Sequence, residues 1–580
     1  MEYPVDIRLS MEMVVRKTRL NTVWNGGQGR PGWLFPRLFG CALLVAASQA
    51  AAPYALAAAE SGAGDVRVAQ LGGAASEPGR APEPNDAGAV AIRQAVERWL
   101  LDFFPPDSPG GQAVILQGQV IVEPFGERYA VTLPDITLNL GSGMVMPIGT
   151  ITLSLTPQTP VTYRVAMRLP LPFPILDDTG TEIGRFDMAG QRVRGVWDTR
   201  FETLTGLDAV FSDIVVQSSL VDGDPVALFT MGELDIQSTL DVDDYLHLTG
   251  PSKLTAARIE IKDEDGNRLT YIENLVSETE VRSFDMVNMN RFARRFQSLA
   301  QAFIPSPEGE LPDRETTDLL LDQLRRELLD LPSLMSDAGG AVTINGLVVN
   351  DPVTSRGYSV DEIVYSILVR GMNEETSRIN AQYGHTGLVS LPAPPAPDLT
   401  PDEISFELDV EGIPNSQLWD IITQIPNDMS LYGALPGANF GLEKLFHVLA
   451  VAGTSISLEK GYINSEKLDS RVTASALFDN GATYKTVAAA NIRMIGMDEL
   501  LRDLSAPGAN NNGNAATMLI LRTLQSLGTE GELIGGRSNR EYSLRVEANG
   551  KITLNGQSFT NLISTFMGEL GPTDGTAAPR

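Results

Sequence analysis

Apolar and polar residues alternate through the central part of the chain. In Thr150–Thr156 every aliphatic side chain stands between two hydroxyl side chains, and Tyr163 and Val165 continue the same two-residue period. Such a period predicts β-strands with one buried face and one solvated face. The pattern holds from about 113 to 287, so we expect a long run of strands there.

Turn sequences separate the predicted strands. Asp178-Thr179-Gly180 and Asp265-Gly266 are two of them, and glycine readily adopts the positive φ that tight reversals need. Short connections favour antiparallel pairing, because a parallel pair needs a long crossover. Sequential hairpins are therefore the simplest predicted topology.

Helical spacing of three to four residues flanks the strands. Ile92, Val96 and Trp99 share one face of a predicted helix that ends before Pro105. The same spacing predicts helices over 292–303, 319–331 and 363–368. Helices with an apolar stripe need an apolar surface, and the buried face of the sheet is the candidate. The predicted fold class is α+β: long antiparallel twisted β-sheets with helices packed on one face, in two parts.

A proline-rich segment divides the chain. Residues 391–402 include the run Pro392–Pro397, whose stiff extended conformation suits a linker. We predict a β-rich part with helices at 89–390, an α+β part at 403–570 and a tail at 571–580. In the second part the predicted strands are 404–410, 455–459, 471–478 and 486–494, and the predicted helices are 418–425, 442–451 and 515–527. A closing hairpin, 542–547 with 551–554, turns at Asn549-Gly550.

The N-terminus has the order of a secretory signal. Basic residues from Arg16 to Arg37 precede an apolar stretch over 38–48, and Ala55-Leu56-Ala57 is a candidate cleavage site. We expect residues 1–59 to be a cleaved signal peptide, 60–88 to be a disordered linker and the mature protein to be periplasmic. An uncleaved N-terminal anchor is the less favoured alternative, and no membrane span is expected in the mature chain.

Composition narrows the possible chemistry. Cys41 is the only cysteine, so a chain cleaved after the leader has neither a disulfide nor a thiolate ligand. The net charge is −29, and the part after residue 59 carries −32, from 38 basic and 70 acidic side chains. A strongly negative field repels phosphate backbones and disfavours electrostatic docking on an anionic leaflet. Nucleic acid is therefore excluded as an expected partner.

No residue pattern points to catalysis. The three histidines, His247, His385 and His447, stand far apart and are interpreted as structural. Lys262–Asn267 collects oxygen ligands that suggest calcium, but a hairpin turn is the preferred interpretation. The pair Asp243-Asp244 is one of many in an acidic chain. We therefore predict no catalytic, cofactor-binding or metal-binding residues, no cofactor and no enzymatic activity.

The C-terminal region resembles a known family. The carrying motifs are Ala452–Ile456, Ile495–Leu501, Tyr542–Val546 and Gly550–Gly556, within about 440–565. This order is similar to an alphaproteobacterial family of exported proteins, the domain of unknown function 2125 type, and more distantly to YdgA-like envelope proteins. The resemblance implies an envelope location and a repetitive sheet with helices. It implies no catalytic residue.

Three functional hypotheses follow. The leading one is a non-enzymatic periplasmic binding or scaffolding protein that holds a lipid or other apolar ligand on a sheet face. The second is an envelope assembly factor that acts through protein-protein contacts, suggested by the linker at 60–88 and the acidic surface. The third is a hydrolase with an unrecognised site.

Overall fold

A computed structural model describes most of the chain after residue 80. The described residues are 81–103, 114–141, 143–218, 226–263, 265–302, 314–330, 333–352, 354–393, 400–432, 444–505 and 515–558. All structural statements below concern these residues. The predictions for 1–59, 60–80 and 571–580 lie outside them.

Seven helices are described. They are α1 (Asp86–Phe103), α2 (Met286–Ala302), α3 (Arg314–Asp330), α4 (Asn415–Tyr432), α5 (444–452), α6 (Met497–Leu504) and α7 (Ala515–Leu527). The predicted helices at 89–103, 292–303, 319–331, 418–425, 442–451 and 515–527 are confirmed over their described residues. Helix α1 starts at Asp86, three residues before the predicted fold begins, and the Asn85 side chain accepts a hydrogen bond from the Gly88 N–H at 2.9 Å. Asn85 thus satisfies one backbone donor that the first turn leaves free.

The strands form one hydrogen-bonded sheet. In the first half they are β1 (Val114–Gln117), β2 (Ile121–Phe125), β3 (Arg128–Gly141), β4 (Met144–Pro157), β5 (Thr162–Arg168), β6 (Phe173–Leu176), β7 (Glu182–Asp198), β8 (Thr203–Ser218), β9 (Val226–Thr239), β10 (Asp241–Val242), β11 (Leu248–Lys262) and β12 (Arg268–Phe284). In the second half they are β13 (Asp337–Asp351), β14 (Arg356–Arg370), β15 (Thr376–Thr386), β16 (Val389–Leu391), β17 (Glu403–Pro414), β18 (Ser455–Asn464), β19 (Asp469–Phe478), β20 (Thr486–Ile495), β21 (Thr529–Glu530), β22 (Asn539–Val546), β23 (Ile552–Leu554) and β24 (Gln557–Ser558).

Every described strand pair is antiparallel and joins strands that are adjacent in chain order or separated by one strand. The main ladder runs β3, β4, β5 with β6, β7, β8, β9, β11, β12, β13, β14, β15, β17, β18, β19, β20, β22, β23. This confirms the α+β class and the prediction of sequential hairpins. The β15–β17 ladder joins residues on either side of the 391–402 segment, so the sheet is continuous across the predicted boundary.

One predicted helix is wrong. Residues 363–368 lie within strand β14, where Ile363, Tyr365 and Ile367 alternate with Val364 and Ser366. The run is rich in β-branched and aromatic residues, which favours a strand. Apolar residues on both faces of this strand imitate helical spacing over so short a window.

Helices cover only parts of the apolar face. Helix α1 packs Ile92, Val96 and Leu100 on strands β2–β5, and α2 packs Met286 and Met289 near the ends of β11–β13. A third cluster contains only strand residues within the described chain. Its members include Ile236, Leu254, Ala256, Ile259 and Ile272. Within the described residues, the side chains that bury one another in this cluster all come from the strands themselves.

A line of residues with irregular backbone conformation crosses the sheet. We call it the bend line, and its members from β7 to the end of β15 are Ala189, Asp213, Gly232, Arg258, Glu273, Gly346, Asp361 and Gly387. Register on both sides places these residues opposite one another in successive strands. Every second member has a positive φ, from 51° at Asp213 to 67° at Gly387. A positive φ is uncommon in residues other than glycine, so these positions depart from the regular strand conformation.

The bend line preserves the apolar face. In β11 the buried residues Leu254 and Ala256 are followed by buried Ile259, so the inward step is three residues at Arg258 rather than two. Opposite Arg258 stands Gly232, where an added Cβ would lie 2.3 Å from the Arg258 Nε. The Arg258 guanidinium occupies the space of a side chain there, so a larger residue at 232 would require the Arg258 side chain to move.

A candidate apolar binding face

One row of registered residues crosses the second half of the sheet on its apolar face. From β14 to β22 it consists of Ile367, Ala381, Leu408, Leu458, Ala474, Ala490 and Leu544. Side chains that are registered partners in an antiparallel ladder point to the same face. The row is therefore a continuous apolar strip, perpendicular to the strands.

Four alanines form a depression in this strip. Ala474 and Ala476 of β19 face Ala490 and Ala488 of β20. The flanking residues are larger: Leu408, Ile456 and Leu458 on one side, Leu544 and Val546 on the other. The depression has a volume of about 220 Å³ and an almost wholly apolar lining. We call the registered row together with this depression the trough. An apolar cavity of about 150 Å³ is enough to stay dry and bind benzene, so the trough has room for an apolar group of at least that size.

The trough is exposed to solvent, whereas the same face of the sheet is buried in the first half of the chain. Leu254 in β11 is 1% exposed, whereas Leu408 in β17 is 40% exposed. Tyr365 and Tyr383, registered partners next to the row, are 50% and 43% exposed. Exposed apolar side chains in contiguous positions typically mark a binding surface.

Charged pairs lie on the opposite face. Arg378 of β15 binds the Asp409 carboxylate and also lies 2.9 Å from the Glu411 Oε1. Lys460 lies 3.6 Å from the Glu407 Oε2 in the next ladder. Asp409, Glu411 and Glu407 alternate with Leu408 and Val410 along β17, so charge is confined to one face of this strand and apolar surface to the other.

A single histidine lies on the apolar face beyond the tyrosines. His385 of β15 is registered with Ile363 and Ile404, two aliphatic neighbours, and is 9% exposed. Its Nδ1 is 3.3 Å from the Tyr383 Oη. Its Nε2 is buried and has no hydrogen-bond partner among the described residues. Buried polar atoms without a partner are rare, so this nitrogen requires an explanation.

The other two histidines lie outside the strands that form the apolar face. His247 lies 3.3 Å from the Asp243 Oδ2, and that carboxylate also accepts the Tyr245 and His247 backbone N–H groups in a turn. His447 is exposed on α5. The three histidines thus lie on separate elements, as their spacing indicated.

The segment 262–267, for which calcium binding was the alternative, is the turn of a hairpin. Residues 258–261 and 269–272 lie in the paired strands β11 and β12. Asp263 accepts the Asp265 and Asn267 backbone N–H groups and the Asn267 Nδ2, at 2.7–3.0 Å. Hydrogen bonds within the turn therefore already occupy this carboxylate. The described residues contain no group of three or more His, Cys, Asp or Glu side chains placed to hold a metal ion.

Comparison with known proteins does not place the chain. No family model and no curated protein matches it. The resemblance to exported proteins of the domain of unknown function 2125 type therefore stays a prediction. None of the described helices combines the length and the hydropathy that crossing a membrane requires.

Sequence reasoning treated His385 as a structural residue and did not find the trough. The available signal was the alternation in β15, which puts Ala381, Tyr383 and His385 on one face. It remained hidden because β15 itself was not predicted.

Proposed function

We propose that the protein is a non-enzymatic periplasmic binding protein that holds the hydrocarbon chain of a lipid in the trough. The observation that carries this proposal is the half-exposed apolar row with its alanine-lined floor. Small side chains between larger ones produce a channel, and a flexible acyl chain is the apolar molecule whose narrow cross-section suits it. The predicted signal peptide supports a location where lipids are available on both sides of the compartment.

Burial of hydrocarbon in the depression supplies most, but not all, of the free energy that micromolar binding needs. Each methylene removed from water contributes about 0.8 kcal/mol, so eight methylenes would contribute about 6 kcal/mol before the cost of ordering the chain. Binding at micromolar concentrations needs about 8 kcal/mol net. A chain that extends from the depression across Leu408 towards Tyr383 would bury additional methylenes.

The test is to fill the trough with a side chain. Ala474→Phe puts an aromatic ring into the depression, whereas Thr473→Phe puts the same ring on the opposite, exposed face of β19. We expect native mass spectrometry of the gently purified wild type and of Thr473→Phe to show co-purifying lipid, and Ala474→Phe to have lost it. A lipid-free wild type that also fails to bind added palmitate would contradict the proposal.

A further inference from the structure

We propose that the trough ligand is a long-chain carboxylate, and that the His385 Nε2 donates a hydrogen bond to its head group. This inference rests on the proposed function and adds the polar end of the ligand. The observation behind it is a buried imidazole nitrogen without a partner, placed on the apolar face beyond the end of the hydrocarbon site.

We take the tautomer of His385 in which Tyr383 donates to Nδ1. Tyr383 Oη lies 3.3 Å from Nδ1, and a phenolic O–H is a good donor to an unprotonated imidazole nitrogen. In that arrangement Nδ1 accepts, so the ring proton is on Nε2. An N–H donor among the aliphatic neighbours Ile363 and Ile404 needs an acceptor oxygen. A carboxylate supplies the strongest such acceptor.

The position of His385 fits a head group whose tail lies in the trough. His385 follows Ala381 by four residues in β15, about 13 Å along the strand. Between them Tyr383 and its registered neighbour Phe406 continue the apolar surface towards Leu408. The alanine floor lies three to four ladders further, about 14–19 Å across the strands. A head at His385 thus leaves an uninterrupted apolar path for the tail.

Entry requires one exposed ring to move. The Tyr383 ring packs edge-on against the imidazole with 6.0 Å between ring centres, and 43% of Tyr383 is exposed. Rotation of this side chain during entry would open His385 to the trough, and its return would restore the hydrogen bond to Nδ1. The same hydroxyl orients the imidazole, so Tyr383 acts as a positioning residue.

The experiment compares ligands that share a tail and differ at the head. Palmitate, hexadecanol and hexadecane are titrated against wild type, His385→Phe and the exposed-histidine control His447→Gln. We expect wild type and His447→Gln to bind palmitate about tenfold or more tightly than hexadecanol, which corresponds to one charge-assisted hydrogen bond. His385→Phe should lose this preference and keep its affinity for hexadecanol.

Several results separate the two proposals. Equal binding of palmitate and hexadecanol by wild type, or an unchanged preference in folded His385→Phe, overturns the role of His385 while leaving the trough intact. Binding of none of the three ligands by wild type overturns the proposed function itself. Tyr383→Phe covers the case in which His385→Phe fails to fold. Loss of the hydroxyl should reduce the preference for palmitate several-fold, and full retention of that preference would overturn the inference.

Discussion

Two glycines of strand β13 provide a test of the bend line. Gly346 belongs to that line, has a φ of +62°, and an added Cβ would lie 2.8 Å from the Glu273 Cβ. Gly340 lies six residues earlier in the same strand, and a Cβ there would meet its nearest atoms at 3.5 Å and 3.6 Å, ordinary contact distances. The two positions thus differ in conformation and space while sharing a strand.

Replacement by alanine should therefore have different effects on the free energy of unfolding at the two sites. A left-handed conformation costs an L-residue about 1–2 kcal/mol, and the contact with the Glu273 Cβ adds to it because neither backbone can move alone. Gly346→Ala should lower the free energy of unfolding by at least that amount. Gly340→Ala should leave it unchanged or raise it by about 0.4–1 kcal/mol, because alanine reduces the entropy of the unfolded chain.

Urea denaturation followed by far-ultraviolet circular dichroism measures both variants. The expected result is a clearly lower midpoint for Gly346→Ala and a midpoint at or above that of wild type for Gly340→Ala. Equal midpoints for the two variants would refute the assignment of strain to the bend line. A shift in transition slope rather than midpoint would show that the substitution altered the unfolded state or cooperativity instead.

Two further predictions concern the core and an ion pair. Leu254→Ala should lower the free energy of unfolding by about 2–5 kcal/mol, because Leu254 is fully buried. Leu408→Ala in the open trough should lower it clearly less. Equal losses of the two variants in chemical denaturation would mean that the surroundings of Leu254 and Leu408 are equally closed. The Arg540 guanidinium lies 2.8 Å from the Asp498 carboxylate and holds the pKa of Asp498 below its ordinary 3.8. The stabilisation that this ion pair gives to the fold is therefore present above pH 3.8 and is lost as the pH falls through the lowered pKa. Asp498→Asn should flatten the fall of thermal unfolding temperature in acid, and a slope equal to that of wild type would exclude the contribution.

The spacing of apolar residues predicted helices and strands well wherever a single period, of two or of three to four residues, dominates a segment. The alternation around Thr150–Thr156 lies in β4, and the predicted helix at 515–527 matches α7. Strands β13 and β15 were not predicted. Both carry glycine and polar residues among their apolar ones, which weakens a two-residue period. The same ambiguity produced the incorrect helix at 363–368.

The amino-acid sequence alone determined the β-rich α+β class, the hairpin order and the absence of recognisable catalytic motifs, because alternation and turn residues act over a few neighbouring positions. Only the tertiary structure decided that the strands share one sheet, that the bend line crosses successive strands, and that the alanines of β19 and β20 lie beside Leu408 and Leu544. Those relationships depend on strand register between residues far apart in the chain. The isolated Nε2 of His385 is the clearest case, since its burial and its lack of a partner are properties of the folded surroundings.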